Sequence, residues 1–215
     1  MVKMKITKIK KQKRRKNRYN LYVDGEFFEG VDENTVVKLN LYKGKVVEKG
    51  DLERIRKVEI EEKLHDKVLR LISRFPKTEK ELKDYILKKG YSKEISQKEI
   101  NRLKEYDLID DDNYVENYVK SNRKYSIRML KNKLYKKGVP GKIIEKHLSG
   151  EDIQKKELKI LKKLAKKKFK RVDTLGEKEQ KEKVFAYLAR KGFNFDDINK
   201  IVKKILRDKR SSNEN

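Results

Sequence analysis

The stretch LYKKGV (134–139) decides the fold, because the chain writes it three times: also as ILKKGY (86–91) and LARKGF (188–193). Aligned on Gly90, Gly138 and Gly192, the copies lie roughly 50 residues apart, the spacing of a helical repeat array. Eight residues before each glycine stand Leu82, Leu130 and Val184; four before stand Ile86, Leu134 and Leu188. One after stand Tyr91, Val139 and Phe193; two after stand Ser92, Pro140 and Asn194. Apolar positions then resume as Ile95 and Ile100, Ile143 and Leu148, Ile198 and Val202.

This is the pattern of a helix stop followed by a helix start. Glycine tolerates the left-handed conformation that ends a helix. The apolar residue after it packs back on the side chain four before the glycine, and Ser, Pro or Asn opens the next helix. The Lys and Arg residues before the glycine sit at the negative end of the helix dipole.

Working outward, a third helix precedes each pair. The first carries Leu64, Val68, Leu69 and Ile72 and stops near Pro76; Thr78 and Glu81 then form a capping box. The second follows the Asp110-Asp111-Asp112 run and carries Val115, Tyr118 and Val119; the third carries Leu158, Leu161, Leu164 and Phe169. Upstream, RYNLYVDGEFFEGV reads as a hairpin turning at Asp24-Gly25, with Tyr19, Leu21 and Val23 on one face. Asp32 is an N-cap for a short helix, and Asp51 caps a linker helix carrying Leu52, Ile55 and Val58. The expected fold is mainly α. An elongated tandem array of three three-helix repeats follows a small β-rich module of three strands and a short helix. The expected boundaries are 1–50 for that module, 51–109 for the linker helix and first repeat, 110–150 for the second repeat, and 151–215 for the third repeat with a polar tail.

The 215 residues carry a formal net charge of +26, from 61 basic and 35 acidic residues. A solubilising surface would balance the two signs; this surplus seeks a polyanion. Three clusters stand out. One holds Lys10, Lys11, Lys13, Arg14, Arg15 and Arg18; a second holds Arg123, Lys124, Arg128 and Lys131; a third holds Lys162, Lys163, Lys166, Lys167, Lys170 and Arg171. Any one of these runs could equally be a solvated helix face; on one scaffold they suggest an electrostatic track.

Catalytic chemistry finds no support. GEFFEG (25–30) has phosphate-loop glycine spacing, but Val31 stands where that loop needs Lys. The chain has no cysteine, and its two histidines, His65 and His147, lie in different repeats and read as surface or groove residues. The triple Asp reads more simply as a helix cap than as a cation site. No acid, base and nucleophile assemble. The reading is therefore a non-enzyme without cofactor or metal. No apolar run approaches the length of a membrane span, and the N-terminus has charge without the apolar core of a signal peptide. A cytoplasmic protein is expected.

Several segments together resemble the RecX family, regulators of the RecA recombinase. They are KITKIKKQKRRKNRYNLYVDGEFFEGV (5–31), TEKELKDYILKKGYS (78–92), YDLIDDDNYVENYV (106–119) and RMLKNKLYKKGVP (128–140). Asp-Asp-x-x-Tyr followed by the Leu-x-x-Lys-Gly helix end is the most specific part. The chain departs from the family at KYSI (124–127), where Tyr125 stands without the family's neighbouring glycines and proline, and in the Lys-rich first helix of the third repeat. The resemblance implies a non-catalytic modulator that binds RecA filaments on single-stranded DNA along the helical groove; a monomer is expected. It further implies inhibition of ATP hydrolysis, strand exchange and coprotease activity. A direct nucleic-acid-binding protein that competes for DNA is the second reading.

Overall fold

A computed structural model describes residues 3–13 and 17–213, the last four of these by backbone alone. Its elements run β1 Met4–Lys11, β2 Arg18–Val23, β3 Glu26–Asp32, α1 Glu33–Lys38, β4 Val46–Val47, α2 Lys49–Ile72, α3 Glu79–Lys88, α4 Lys93–Glu105, α5 Asp111–Ser121, α6 Ile127–Lys136, α7 Gly141–Leu148, α8 Glu151–Phe169, α9 Glu177–Arg190 and α10 Phe195–Asn213. The fold is mainly α, with three three-helix units following a small antiparallel sheet in chain order. The chain divides into two compact bodies, Met1–Pro76 with Tyr85–Tyr106 and Lys77–Asp84 with Asp107–Asn215.

In the first body the sheet order is β3-β2-β1-β4. The hairpin turns at Asp24 and Gly25, both at positive φ (49° and 90°), which matches the right-handed twist of the flanking strands. Leu21 and Val23 are buried with Ile6, Val31, Leu41, Val47 and Ile55, and Tyr19 packs against the same core. The fourth strand was not expected; two residues are too few to show a period of two. Asp32 caps α1 by accepting the Asn34 N–H at 2.9 Å.

The linker helix and the first helix of the first unit are one continuous helix, α2. Asp51 is not its N-cap; it sits inside the first turn and accepts the Glu48 N–H at 2.9 Å, in a capping box. The reason is local: Gly50 costs some helical stability but does not break the helix, and no proline intervenes before Pro76. Along α2 lie two buried carboxylates. Glu59 meets Arg18 at 2.8 Å and accepts the Asp32 N–H at 2.7 Å and the Thr35 hydroxyl at 3.1 Å. Glu62 pairs with Lys38 and with Arg102 at 3.1 Å. Burial alone would raise the Glu62 carboxyl, but the Lys38 hydrogen bond and the Arg102 charge outweigh it and hold it below the ordinary 4.5. Glu62 therefore adds stability at neutral pH, which is lost as the pH falls below about 4.5. An acid titration of Glu62→Gln should show a shallower loss over that range than the parent; identical acid profiles would deny Glu62 this role. His65 is buried rather than on the surface, with Nδ1 2.9 Å from Glu99.

The three corners are built alike. Gly90, Gly138 and Gly192 stand at φ of 85°, 76° and 87°. The N–H of each following residue bonds back to the carbonyl four before the glycine: Tyr91 to Ile86 at 3.4 Å, Val139 to Leu134 at 3.2 Å, and Phe193 to Leu188 at 3.4 Å. The glycine N–H groups add bonds to Leu87, Tyr135 and Ala189, each at 2.9 Å. Together these close a Schellman motif at every corner and satisfy carbonyls the helix leaves open. Ser92 then caps α4 by accepting from the Ile95 N–H at 3.3 Å, and Asn194 opens α10 by accepting from Asp196 at 2.8 Å.

In the second body, consecutive units lock through their second helices. The Thr78 hydroxyl, at the start of α3, donates to the Lys137 carbonyl at the end of α6 at 2.7 Å. The Ser126 N–H, at the start of α6, donates to the Lys191 carbonyl at the end of α9 at 2.9 Å. Each joint sets the positive end of one helix dipole on the negative end of the next. Glycine is needed at both for close approach as well as for φ. A Cβ on Gly138 would fall inside the Lys80 side chain; one on Gly192 would lie 2.6 Å from Ser126 Oγ and 2.8 Å from Met129 Cβ. Gly90 has open space there. The α5–α7 core is Val115, Leu130, Leu134, Val139, Ile144 and Leu148. The α8–α10 core gathers Leu161, Ala165, Phe169, Val184, Leu188, Phe193, Ile198 and Val202.

Candidate polyanion-binding surfaces

The three basic clusters have different fates. In the N-terminal cluster, Lys10 and Lys11 are exposed at the end of β1 and Lys13 is exposed just beyond it; Arg14 and Arg15 lie outside the described residues. Arg18 is not surface charge. It is held in the ion pair with Glu59 and donates to the Gly30 carbonyl. A run read from sequence as uniformly basic thus contains one cation spent on the core.

Of the second cluster, Lys131 is paired with Glu145. Arg123, Lys124 and Arg128 are exposed and have no carboxylate partner among the described residues. Arg123 stands with Lys120, Lys156 and Lys159 beside a pocket of about 460 Å³ whose apolar wall includes Val119, Ile127 and Ile160.

The third cluster forms a face of α8. Leu161, Ala165 and Phe169 point into the core. Lys156, Lys159, Lys163, Lys166 and Lys170 recur every three or four residues on the opposite side, all exposed. At 1.5 Å per residue the stripe runs about 20 Å. Lys167 and Arg171 flank it in solvent, and Lys162 is half-buried at its edge. Residues 158–171 contain no Asp or Glu. The nearest acid, Glu157, turns inward and accepts the Ile127 N–H at 2.7 Å; burial pushes its carboxyl up. Among the described residues no carboxylate pairs with the stripe, unlike α5, whose Asp112 pairs with Lys146 at 2.8 Å and faces His147 at 3.2 Å.

A fourth grouping was missed in the sequence because it comes from three elements. Around the Tyr125 ring stand Lys191 at 4.8 Å, Lys133 at 4.9 Å and Lys124 at 5.5 Å from its centroid. Lys191 and Lys168 also stand 5.7 and 5.8 Å from the Tyr187 ring. The aligned repeats did hold a signal: Glu81 in the first unit corresponds to Met129 in the second.

The triple Asp acts as caps. Asp110 accepts from the Asp112 N–H at 2.8 Å, and Asp111 accepts from the Glu79 N–H at 2.9 Å. Among the described residues no cluster of His, Cys, Asp or Glu is placed to hold a metal ion, and no helix is long and apolar enough to cross a membrane.

Comparison with known proteins matches three segments to family descriptions. Residues 4–48 match the regulatory protein RecX N-terminal domain. Residues 65–103 match the first RecX three-helix domain, and 155–202 the third. Regulatory protein RecX of Clostridium perfringens (strain SM101 / Type A) is 33% identical over 207 residues, covering 94% of this chain and 96% of that protein. The Clostridium tetani protein of the same name is 34% identical, covering 94% of each. A crystal structure of regulatory protein RecX superposes with a TM-score of 0.73 at 26% identity, covering 94% of this chain and 99% of the other. That of RecX from Lactobacillus salivarius gives 0.55 at 26% identity, over 67% and 95%.

Proposed function

The chain belongs to the RecX family, and from that premise we propose that it is a non-catalytic, cytoplasmic, monomeric regulator that binds RecA filaments on single-stranded DNA and inhibits their ATP hydrolysis, strand exchange and coprotease activity. The observation that carries this reading is the pairing of the family's domain series with basic surface left uncompensated, above all the lysine stripe of α8. A polyanionic filament is the partner such a stripe meets with most gain, because every phosphate neutralised releases a counterion. Several separate basic faces on one chain add through effective concentration rather than through any single tight contact. The remaining basic residues outside the core, Lys10, Lys11, Lys13, Arg123, Lys124 and Arg128 among them, are contact groups in this reading; Arg18 and Lys131 are held by acids of the chain itself.

The test is RecA ATP hydrolysis on single-stranded DNA at moderate salt. Stoichiometric protein should slow it; an unchanged rate sinks the proposal. Reversing Lys163, Lys166, Lys167 and Lys170 together to Glu should weaken filament binding at least tenfold, while the melting temperature stays near that of the parent, since all four are exposed. Undiminished binding would make the stripe ordinary surface.

The stripe also favours a second reading, direct competition for DNA. A steep salt dependence of tight DNA binding without RecA supports competition. Weak DNA binding beside strong filament binding supports the first reading.

A further inference from the structure

The two joints of the second body are built alike but charged differently. At the first, Lys137 ends α6 with its Nζ 2.7 Å from Glu81 and 5.6 Å from the Tyr114 ring centroid. Glu81 is the third residue after Thr78, the cap of α3, and it neutralises the lysine. At the second joint the cap is Ser126 and the third residue after it is Met129, whose Cβ packs at Gly192. No carboxylate stands at the position of Glu81; Glu157 of α8 accepts the Ile127 N–H at the start of α6 and pairs with none of the lysines there. Lys191, the counterpart of Lys137, lies over two phenol rings instead, joined there by Lys124, Lys133 and Lys168. None of these four lysines pairs with an acid among the described residues. Gathering ammonium groups around a ring costs mutual repulsion, which an anion placed among them relieves.

We propose that this joint, between α6 and α9, binds single-stranded nucleic acid: Lys133, Lys168 and Lys191 take phosphates, and Tyr125 and Tyr187, each half-buried against its unit's core, offer their remaining ring surface to the bases. A single strand presents a phosphate and a base at every step, which matches alternating ammonium groups and phenols. An acidic peptide would use the lysines and leave the rings idle. The cations are all lysine, compact charges without the planar fork of arginine, so the site reads no sequence. The inference rests on the proposed function only in that a RecA filament is the expected source of the strand; the joint is tested without RecA.

The experiment measures anisotropy of a labelled oligothymidylate against salt. The full chain is compared with Lys133→Gln/Lys168→Gln/Lys191→Gln. A control, Lys142→Gln/Lys178→Gln/Lys181→Gln, removes equal charge from exposed lysines that stand over neither ring. Each lost phosphate contact lowers the slope of log affinity against log salt by about 0.7. The joint variant should therefore lose about 2 from the slope and up to about a hundredfold in affinity near 0.1 M salt, with the control close to the parent. Equal slopes for both variants overturn the proposal. A folded Tyr187→Leu variant should weaken oligothymidylate but leave polyglutamate binding unchanged. Polyglutamate competing as well as the oligonucleotide, with no effect of Tyr187→Leu, also overturns it in favour of an acidic protein surface. Loss of the slope in a protein that leaves RecA hydrolysis untouched upholds the joint while sinking the filament reading; the reverse result upholds the filament reading and sinks the joint.

Discussion

Glu59→Ala lowers stability by about 3–5 kcal/mol, the cost of removing one partner from a buried ion pair. Glu59 is 1% exposed. Its carboxylate receives the Arg18 guanidinium, the Asp32 N–H and the Thr35 hydroxyl, so α2, β2, β3 and α1 all converge on one side chain. Truncation leaves Arg18 partly buried without a counter-charge and strands a backbone donor. The measurement is a urea or thermal melt of the full chain. Replacing both partners by apolar residues of similar size, Arg18→Met with Glu59→Leu, should recover most of the loss, because no charge is then left unpaired. A Glu59→Ala protein melting with the parent would show that the carboxylate does not hold the sheet to α2.

The second large effect is Gly138→Val. The backbone there stands at φ 76°, where a β-branched residue is a genuine outlier, costing roughly 1–2 kcal/mol. The new Cβ would also land inside the Lys80 side chain, near its Cβ as well as its flexible end, so α3 must move. Overpacking of that kind adds about 1–3 kcal/mol. Movement of α3 further endangers the Thr78 bond to the Lys137 carbonyl. Gly90→Val separates the two costs. It meets the same backbone strain at φ 85° but open space, so it should lose only the first part. Equal losses at Gly90 and Gly138 would mean that the close approach to Lys80 carries no weight.

The corners were legible because each leaves a local mark: a glycine for φ, an apolar residue after it, a capping residue next. So were the Thr78–Glu81 box, the Asp24-Gly25 turn and the three-helix periodicity, all fixed by neighbours within a few residues. What sequence did not show depends on distant partners. In a chain with 45% charged residues, Glu59 and Glu62 look like any other acids; only the fold tells that they are buried. For the same reason Arg18 passed for surface charge and His65 for a surface or groove residue. The α8 stripe could be read because helical periodicity alone sets its face. The lysines around Tyr125 and Tyr187 could not, since Lys133, Lys168 and Lys191 reach the joint from α6, α8 and the end of α9.

The joints also define which units can be repeated. Each needs a capping residue at the start of one second helix and a glycine corner at the end of the next. The α5–α7 unit owns both halves, Ser126 and Gly138. The first unit has the cap, Thr78, but Gly90 meets nothing. The third has the corner, Gly192, but α9 begins at Gly176 without a side-chain cap. Among the described residues the middle unit alone carries both halves, so duplicating it in tandem would extend the array by one further complete joint.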